Sequence, residues 1–166
     1  VTRSEPTTRA ARFTAFLTEL PRGALSTLRH SLELPPGEYR PAFRYVEPFT
    51  PETISDRERE AYYLTAGLYA LTPDVRTARG VNFGQTFAQI DTGGRDRRFA
   101  RLVDSDWTEL PDQLRQAVRL AASHHAPFDW TRLLTDIHHW EHPTHTVQRQ
   151  WLRAFHHALE DQKESP

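Results

Sequence analysis

Cysteine is absent from the 166-residue chain, which excludes disulfides, thiolate metal sites and cysteine nucleophiles together. Long apolar runs are missing too: no window approaches the roughly 18 apolar residues that span a bilayer. The stretch Val1 to Arg12 is polar and lacks the apolar core of a secretory signal, so neither a membrane nor a secretory role is expected, and the protein is expected in the cytoplasm. Only 7 glycines occur, too few for phosphate-cradling loops, and the motifs G-x-S-x-G, G-x-x-x-x-G-K-[ST] and G-x-G-x-x-G are missing. No charge predominates, with 21 Lys plus Arg against 22 Asp plus Glu, so net charge identifies no partner. Lysine is nearly absent: Lys163 stands alone, and the other twenty basic residues are arginine. A genome rich in G and C produces that bias. So does a surface that binds phosphate, because the guanidinium offers a bidentate fork and a flat face that lysine lacks.

At this length one core of useful size forms, and the expectation is one domain or two small helical lobes sharing a core. Helical periodicity runs through most of the chain. Phe13, Phe16, Leu17 and Leu20 fall at i, i+3, i+4 and i+7 before Pro21 breaks the run, and Leu25 and Leu28 belong to a second short helix. Leu34 to Pro41 reads as a loop, and Pro41 to Val46 as a helical turn closed by Pro48 and Pro51. Asp56 opens a longer helix whose stripe of Tyr63, Leu64, Gly67, Leu68 and Leu71 stops at Thr72-Pro73, and Asp74 to Gly80 is predicted as a flexible loop. Asn82 caps a short helix bearing Phe83, Phe87 and Ile90, and Gly93-Gly94 marks the junction between lobes. Beyond it, Arg95 to Val103 forms one helix. Thr108 with Pro111 opens the next, which is stopped by Pro127, then Asp129 caps a third and Thr144 a fourth carrying Val147, Trp151, Phe155 and Ala158. No alternating apolar and polar run is bounded by hairpin turns, so no sheet is expected. The fold class is therefore all-α, with an N-terminal helical lobe over 1–92, a C-terminal lobe over 95–160 and a flexible tail over 161–166.

Catalytic and metal chemistry find little support. Nine histidines come largely in doublets, and His138 and His142 have the i, i+4 spacing of two ligands on one helical face. The segment reads His-His-Trp-Glu-His, without the glutamate that a zinc protease carries after its first histidine, and doublet neighbours point about 100° apart on a helix. The histidines read as solvated or capping groups near helix C-termini, and no metal is expected. Asp104 and Asp106 read as solvated carboxylates beside a helix cap. No catalytic residue and no cofactor is expected.

Arginine spacing says more. Arg95, Arg97, Arg98 and Arg101 crowd one helix against Asp96 alone, with Arg97 and Arg101 at i, i+4, Arg98 and Arg101 at i, i+3, and Phe99 and Leu102 turned inward. Arg115 and Arg119 repeat the i, i+4 pair on the next helix, and Arg149 and Arg153 on the last, where no acid lies between His142 and Leu159. Like charges at that spacing cost a few tenths of a kcal/mol unless an anion sits opposite. Two readings stay open: solvated faces, with Asp112 pairing to Arg115, or one stripe that tracks a phosphodiester backbone. Trp130, Trp140 and Trp151 sit at core positions, whereas Trp107 and Tyr39 in loops are freer.

The order of these elements resembles the CasB family, the small subunit of the type I-E CRISPR surveillance complex Cascade. Likeness is carried by Leu28-Arg29, Ala42 to Phe49, Asn82 to Ala88, Arg97 to Val103, Gln113-Leu114-Arg115, Phe128-Asp129-Trp130, and Ile137 to Trp140. The resemblance implies an all-helical, two-lobed, non-enzymatic protein, paired with a second copy of itself beside the other Cascade subunits. It also implies that basic residues stabilise guide RNA, target DNA and the displaced strand of the R-loop. Position by position, Arg29, Arg44, Arg98 and Arg115 match basic family positions, and Arg97, Arg101 and Arg119 share their predicted faces. Gln85, Gln116 and Trp107 stand where relatives can carry basic residues, so the contact set is expected to be shifted. Arg149 and Arg153 rest on spacing alone. The function expected is sequence-blind backbone binding, with a scaffold whose arginine faces meet acidic proteins as the alternative.

Overall fold

The computed structural model describes residues 7–165. Its helices, in order, are α1 (Arg9–Leu17), α2 (Arg22–His30), α3 (Phe43–Val46), α4 (Asp56–Leu71), α5 (Phe83–Ala88), α6 (Arg95–Val103), α7 (Leu110–Ser123), α8 (Trp130–His138) and α9 (Thr146–Glu164). Short 3-10 turns at Ser31–Glu33, Arg40–Ala42 and Glu47–Phe49 join them. Among the described residues there is no strand, only an isolated parallel bridge between Thr77 and Phe128, so the all-α expectation holds. No described helix is long and apolar enough to cross a membrane.

Helix α4 is the central element. A single apolar stripe was expected, yet every residue from Ala61 to Ala70 is buried, because α1, α2, α3, α7 and α8 all pack around it. Its N-terminus is capped by the Ser55 hydroxyl, which accepts from the Glu58 amide. Tyr63 donates to Glu47 Oε1, and Arg59 donates to Glu47 Oε2 and to the Thr50 carbonyl, which ties the segment before α4 onto its flank. Burial and the adjacent Glu47 carboxylate hold the Tyr63 hydroxyl well above its ordinary pKa, so this tie does not titrate near neutrality.

Several expected boundaries and contacts differ. The loop Asp74 to Gly80 is anchored: Ala78 N–H donates to the Phe128 carbonyl, Phe128 N–H to the Arg76 carbonyl, and Gly80 N–H to Asp129 Oδ2. The turn leading into α7 is closed by Asp106, whose carboxylate accepts from the Glu109 amide while the Glu109 carboxylate accepts from the Asp106 amide; the cap position itself is Glu109, without a side-chain cap, and not Thr108. Before α9, Thr144 does not cap either. His145 occupies that position in the left-handed region, at φ 52°, with no side-chain cap. The tail expected from 161 continues α9 as far as Glu164, and Gln162 Nε2 donates to the Ala88 carbonyl at the end of α5.

Contacts also run across the Gly93-Gly94 junction: α5 lies chiefly on α9, α4 on α8, and α1 on α8. One hydrophobic cluster extends from Ala10 to Phe155. The crossing of α5 and α9 is close because position 84 has no side chain. A Cβ on Gly84 would stand 2.8 Å from the Trp151 carbonyl carbon and collide with its oxygen. The obstacle is backbone, so no rotamer change relieves it, and Gly84→Ala is expected to lower unfolding free energy by about 3 kcal/mol, read as a fall in the urea midpoint.

Candidate nucleic-acid interface

Helix α6 is short, ends without proline or glycine, and buries Phe99, Leu102 and Val103 while its other faces stay in solvent. That register leaves Arg97, Arg98 and Arg101 exposed. Helix α7 buries Leu114, Ala117, Val118 and Ala121 and turns Gln116 and Arg119 outward. Where α6 meets α7, Arg98, Arg101 and Arg119 line a cleft of about 570 Å³ together with Gln113, Gln116 and Ser123, over a floor of Phe87, Leu102, Ala117 and Leu120. None of the three arginines makes an ion pair or side-chain hydrogen bond among the described residues. Of the arginine pairs read from the sequence, the i, i+3 pair Arg98 and Arg101 faces this site together, while the i, i+4 pairs on α6 and α7 each contribute one member, Arg101 and Arg119.

The remaining candidates fall elsewhere. Arg115 turns away from that cleft, and its Nη2 donates to the Leu32 carbonyl at 2.6 Å, fastening α7 to the Ser31–Glu33 turn instead of pairing with Asp112. Arg97 is exposed at the side of α6. Arg29 is exposed on α2, and Arg44 is exposed on α3 beside the Tyr45 ring, 5.4 Å from its centroid. Arg149 and Arg153 are exposed on α9, where Arg149 lines a second cleft of about 560 Å³ that also holds Asp104, Asp106, Glu141 and His145.

Metal chemistry gains nothing from the geometry. His138 ends α8 and His142 lies in the turn beyond it, so the two do not share a helical face. The His138 and His139 rings lie 4.2 Å apart, and His138 Nε2 is 4.0 Å from Glu58. Burial and the neighbouring His139 push the His138 pKa down against the pull of Glu58. No group of three potential ligands comes together among the described residues.

Homology agrees with the arrangement of helices. The model for the CRISPR-associated protein Cse2 matches residues 24–156. The chain belongs to the Cse2 family. A Cse2 protein of Thermus thermophilus is 35% identical over 143 residues, 85% of this chain and 83% of that protein. Crystalline M. ruber CasB is 28% identical with a TM-score of 0.80, over 95% of this chain and 97% of that one. A chain from E. coli Cascade bound to a PAM-containing dsDNA target has the same fold at 20% identity and a TM-score of 0.68, over 90% of this chain and 95% of that one.

The three positions expected to shift the contact set, Gln85, Gln116 and Trp107, have distinct physical surroundings. Gln85 accepts from the Asn82 amide as half of a capping box, so it secures α5. Gln116 lines the arginine cleft. Trp107 is not free: Arg57 of α4 stacks over its ring, 4.0 Å from the centroid, and bonds Glu60 and Glu141. Sequence reading missed this network and also Asp136, which accepts from Trp151 Nε1 at 2.8 Å and Arg132 Nε at 3.1 Å. Burial raises the Asp136 pKa against both donors. An acid between Leu133, Leu134 and Ile137 on an apolar stripe was the available signal. The Arg115 contact gives a direct test. Arg115→Ala leaves the Leu32 carbonyl without its charged donor and is expected to cost about 2 kcal/mol of stability in chemical denaturation.

Proposed function

We propose that this Cse2 chain is a non-catalytic subunit of a type I-E Cascade that holds nucleic acid backbone without reading its sequence. In that role it steadies guide RNA and target DNA, retains the displaced strand of the R-loop, and works beside the other Cascade subunits and a second copy of itself. The reading is carried by one observation: Arg98, Arg101 and Arg119 face a common cleft and have no anionic partner among the described residues. Three unpaired guanidiniums held together repel one another, and an external phosphate relieves that repulsion. A chain of the same fold occurs in E. coli Cascade bound to a PAM-containing dsDNA target. Arg97 on the same helix, Arg29 and Arg44 on α2 and α3, and Arg149 and Arg153 on α9 extend the contact set at the periphery.

Counterion release sets the expected size of the effect. Each phosphate contact on a single strand contributes roughly 0.7 to the slope of log K against log salt. Replacing Arg98, Arg101 and Arg119 together by alanine is expected to reduce the magnitude of that slope for single-stranded DNA and RNA by about 2. Charge reversal by Arg98→Glu separates this reading from a scaffold role. Loss of R-loop stability in an assembled complex of normal composition supports backbone binding. Failure of the subunit to assemble means that the arginine face meets an acidic protein surface.

A further inference from the structure

We propose that the α6–α7 cleft receives one unstacked nucleobase, with its flanking phosphates on Arg98, Arg101 and Arg119. This deepens the backbone-binding reading and rests on it. A phosphate needs donors at a surface and no apolar surface, yet the cleft offers one: the half-buried Leu120 lines it, backed by Phe87, Leu102 and Ala117, which belong to the core and are at most 3% exposed. At about 570 Å³ the space lies within the roughly 300–1,000 Å³ of small-molecule sites.

The rim has the chemistry that a base requires. Gln113 and Gln116 stand one turn apart on the same face of α7, and neither amide has a hydrogen-bond partner among the described residues. A free amide presents a donor and an acceptor in one plane, the pattern that pairs with the edge of a base, while an apolar floor and a guanidinium plane accept its face. An acidic protein side chain would use only the arginines. A heteroaromatic ring joined to phosphates uses the floor, the amides and the arginines together. Because either amide can rotate to exchange donor and acceptor, the cleft tolerates all four bases, in keeping with recognition blind to sequence.

The test compares a short single-stranded DNA with the same oligonucleotide carrying tetrahydrofuran abasic residues, each titrated against the full chain at low salt. Both have equal phosphate charge, so the salt slope should be the same, while the abasic strand is expected to bind about tenfold more weakly. In the double variant Gln113→Ala/Gln116→Ala the advantage of the base-bearing strand should fall to about threefold or less. Neither the salt slope nor the urea midpoint should change, since both side chains are unbonded within the protein. Photo-crosslinking from 4-thiothymidine should map to α6 or α7. Equal binding of the two strands with an intact salt slope, or crosslinks confined to another surface, would overturn the base pocket and leave backbone binding standing. No salt-dependent binding of either strand overturns both.

Discussion

The close crossing of α5 on α9 at Gly84 is the contact on which the placement of the other helices depends. Helix α5 has only six residues, Phe83–Ala88, too few to persist alone. It is held by the Asn82–Gln85 capping box, by Thr86 Oγ1 donating to the Pro127 carbonyl, and by Gln162 closing over its last turn. Its two phenylalanines then enter a continuous aromatic core. Phe83 packs on Trp151 and Phe128 with ring centroids 5.4 and 4.7 Å away, and Phe87 meets Phe99, which stacks on Phe155. Through Phe99 the same core sets the rotation of α6, and that rotation decides which arginines face outward. The exposed charge pattern is therefore a consequence of packing several layers beneath it.

Arginines fall into two groups here, those bonded within the chain and those left open at the α6–α7 cleft, and the near-absence of lysine bears on both. Arg59, Arg95, Arg115 and Arg132 each reach a carboxylate or a backbone carbonyl, often two acceptors at once, and Arg57 joins two glutamates while covering Trp107. A planar fork with five donors does this at modest cost in side-chain order, whereas an ammonium group would satisfy these acceptors less completely. The arginines left unpaired at the α6–α7 cleft keep that fork available. The residue type alone does not separate the two groups. What separates them is whether the fold brings an acceptor within reach of the guanidinium, from the same helix, a turn or a loop.

That distinction marks the limit of what the sequence discloses. Bounds of α4, α6 and α8 follow from periodicity, Asn82 and Asp129 are legible as caps, and the tryptophans at 130, 140 and 151 are in the core as their spacing indicated. Signals failed where a local rule had two solutions. Thr108 and Asp106 can both close the turn into α7, and the reciprocal Asp106–Glu109 pair wins because it satisfies two amides. Thr144 lost its place because its hydroxyl meets His142 Nδ1 and Thr146 Oγ1. At the cleft, arginine spacing foretold Arg98 and Arg101 on one face, and a second helix completes the set with Arg119. Diversion of Arg115 to Leu32, 83 positions away, is tertiary information that no local pattern contains.

Near-neutral net charge shapes how such a cleft can work. With a formal charge of −1 the whole molecule exerts little attraction on a polyanion, and at physiological ionic strength fields fade over about 8 Å. Affinity must then come from groups within reach of the strand, and a few phosphate contacts leave it low at ordinary salt. For a free protein that is weak binding. For a subunit fixed beside a strand already held by an assembly, the contact becomes intramolecular, and effective concentrations in the millimolar range make the same few arginines sufficient. On the proposed backbone-binding reading, modest charge thus limits capture of nucleic acid by the isolated chain, while the guanidiniums of the α6–α7 cleft hold the strand once it is delivered.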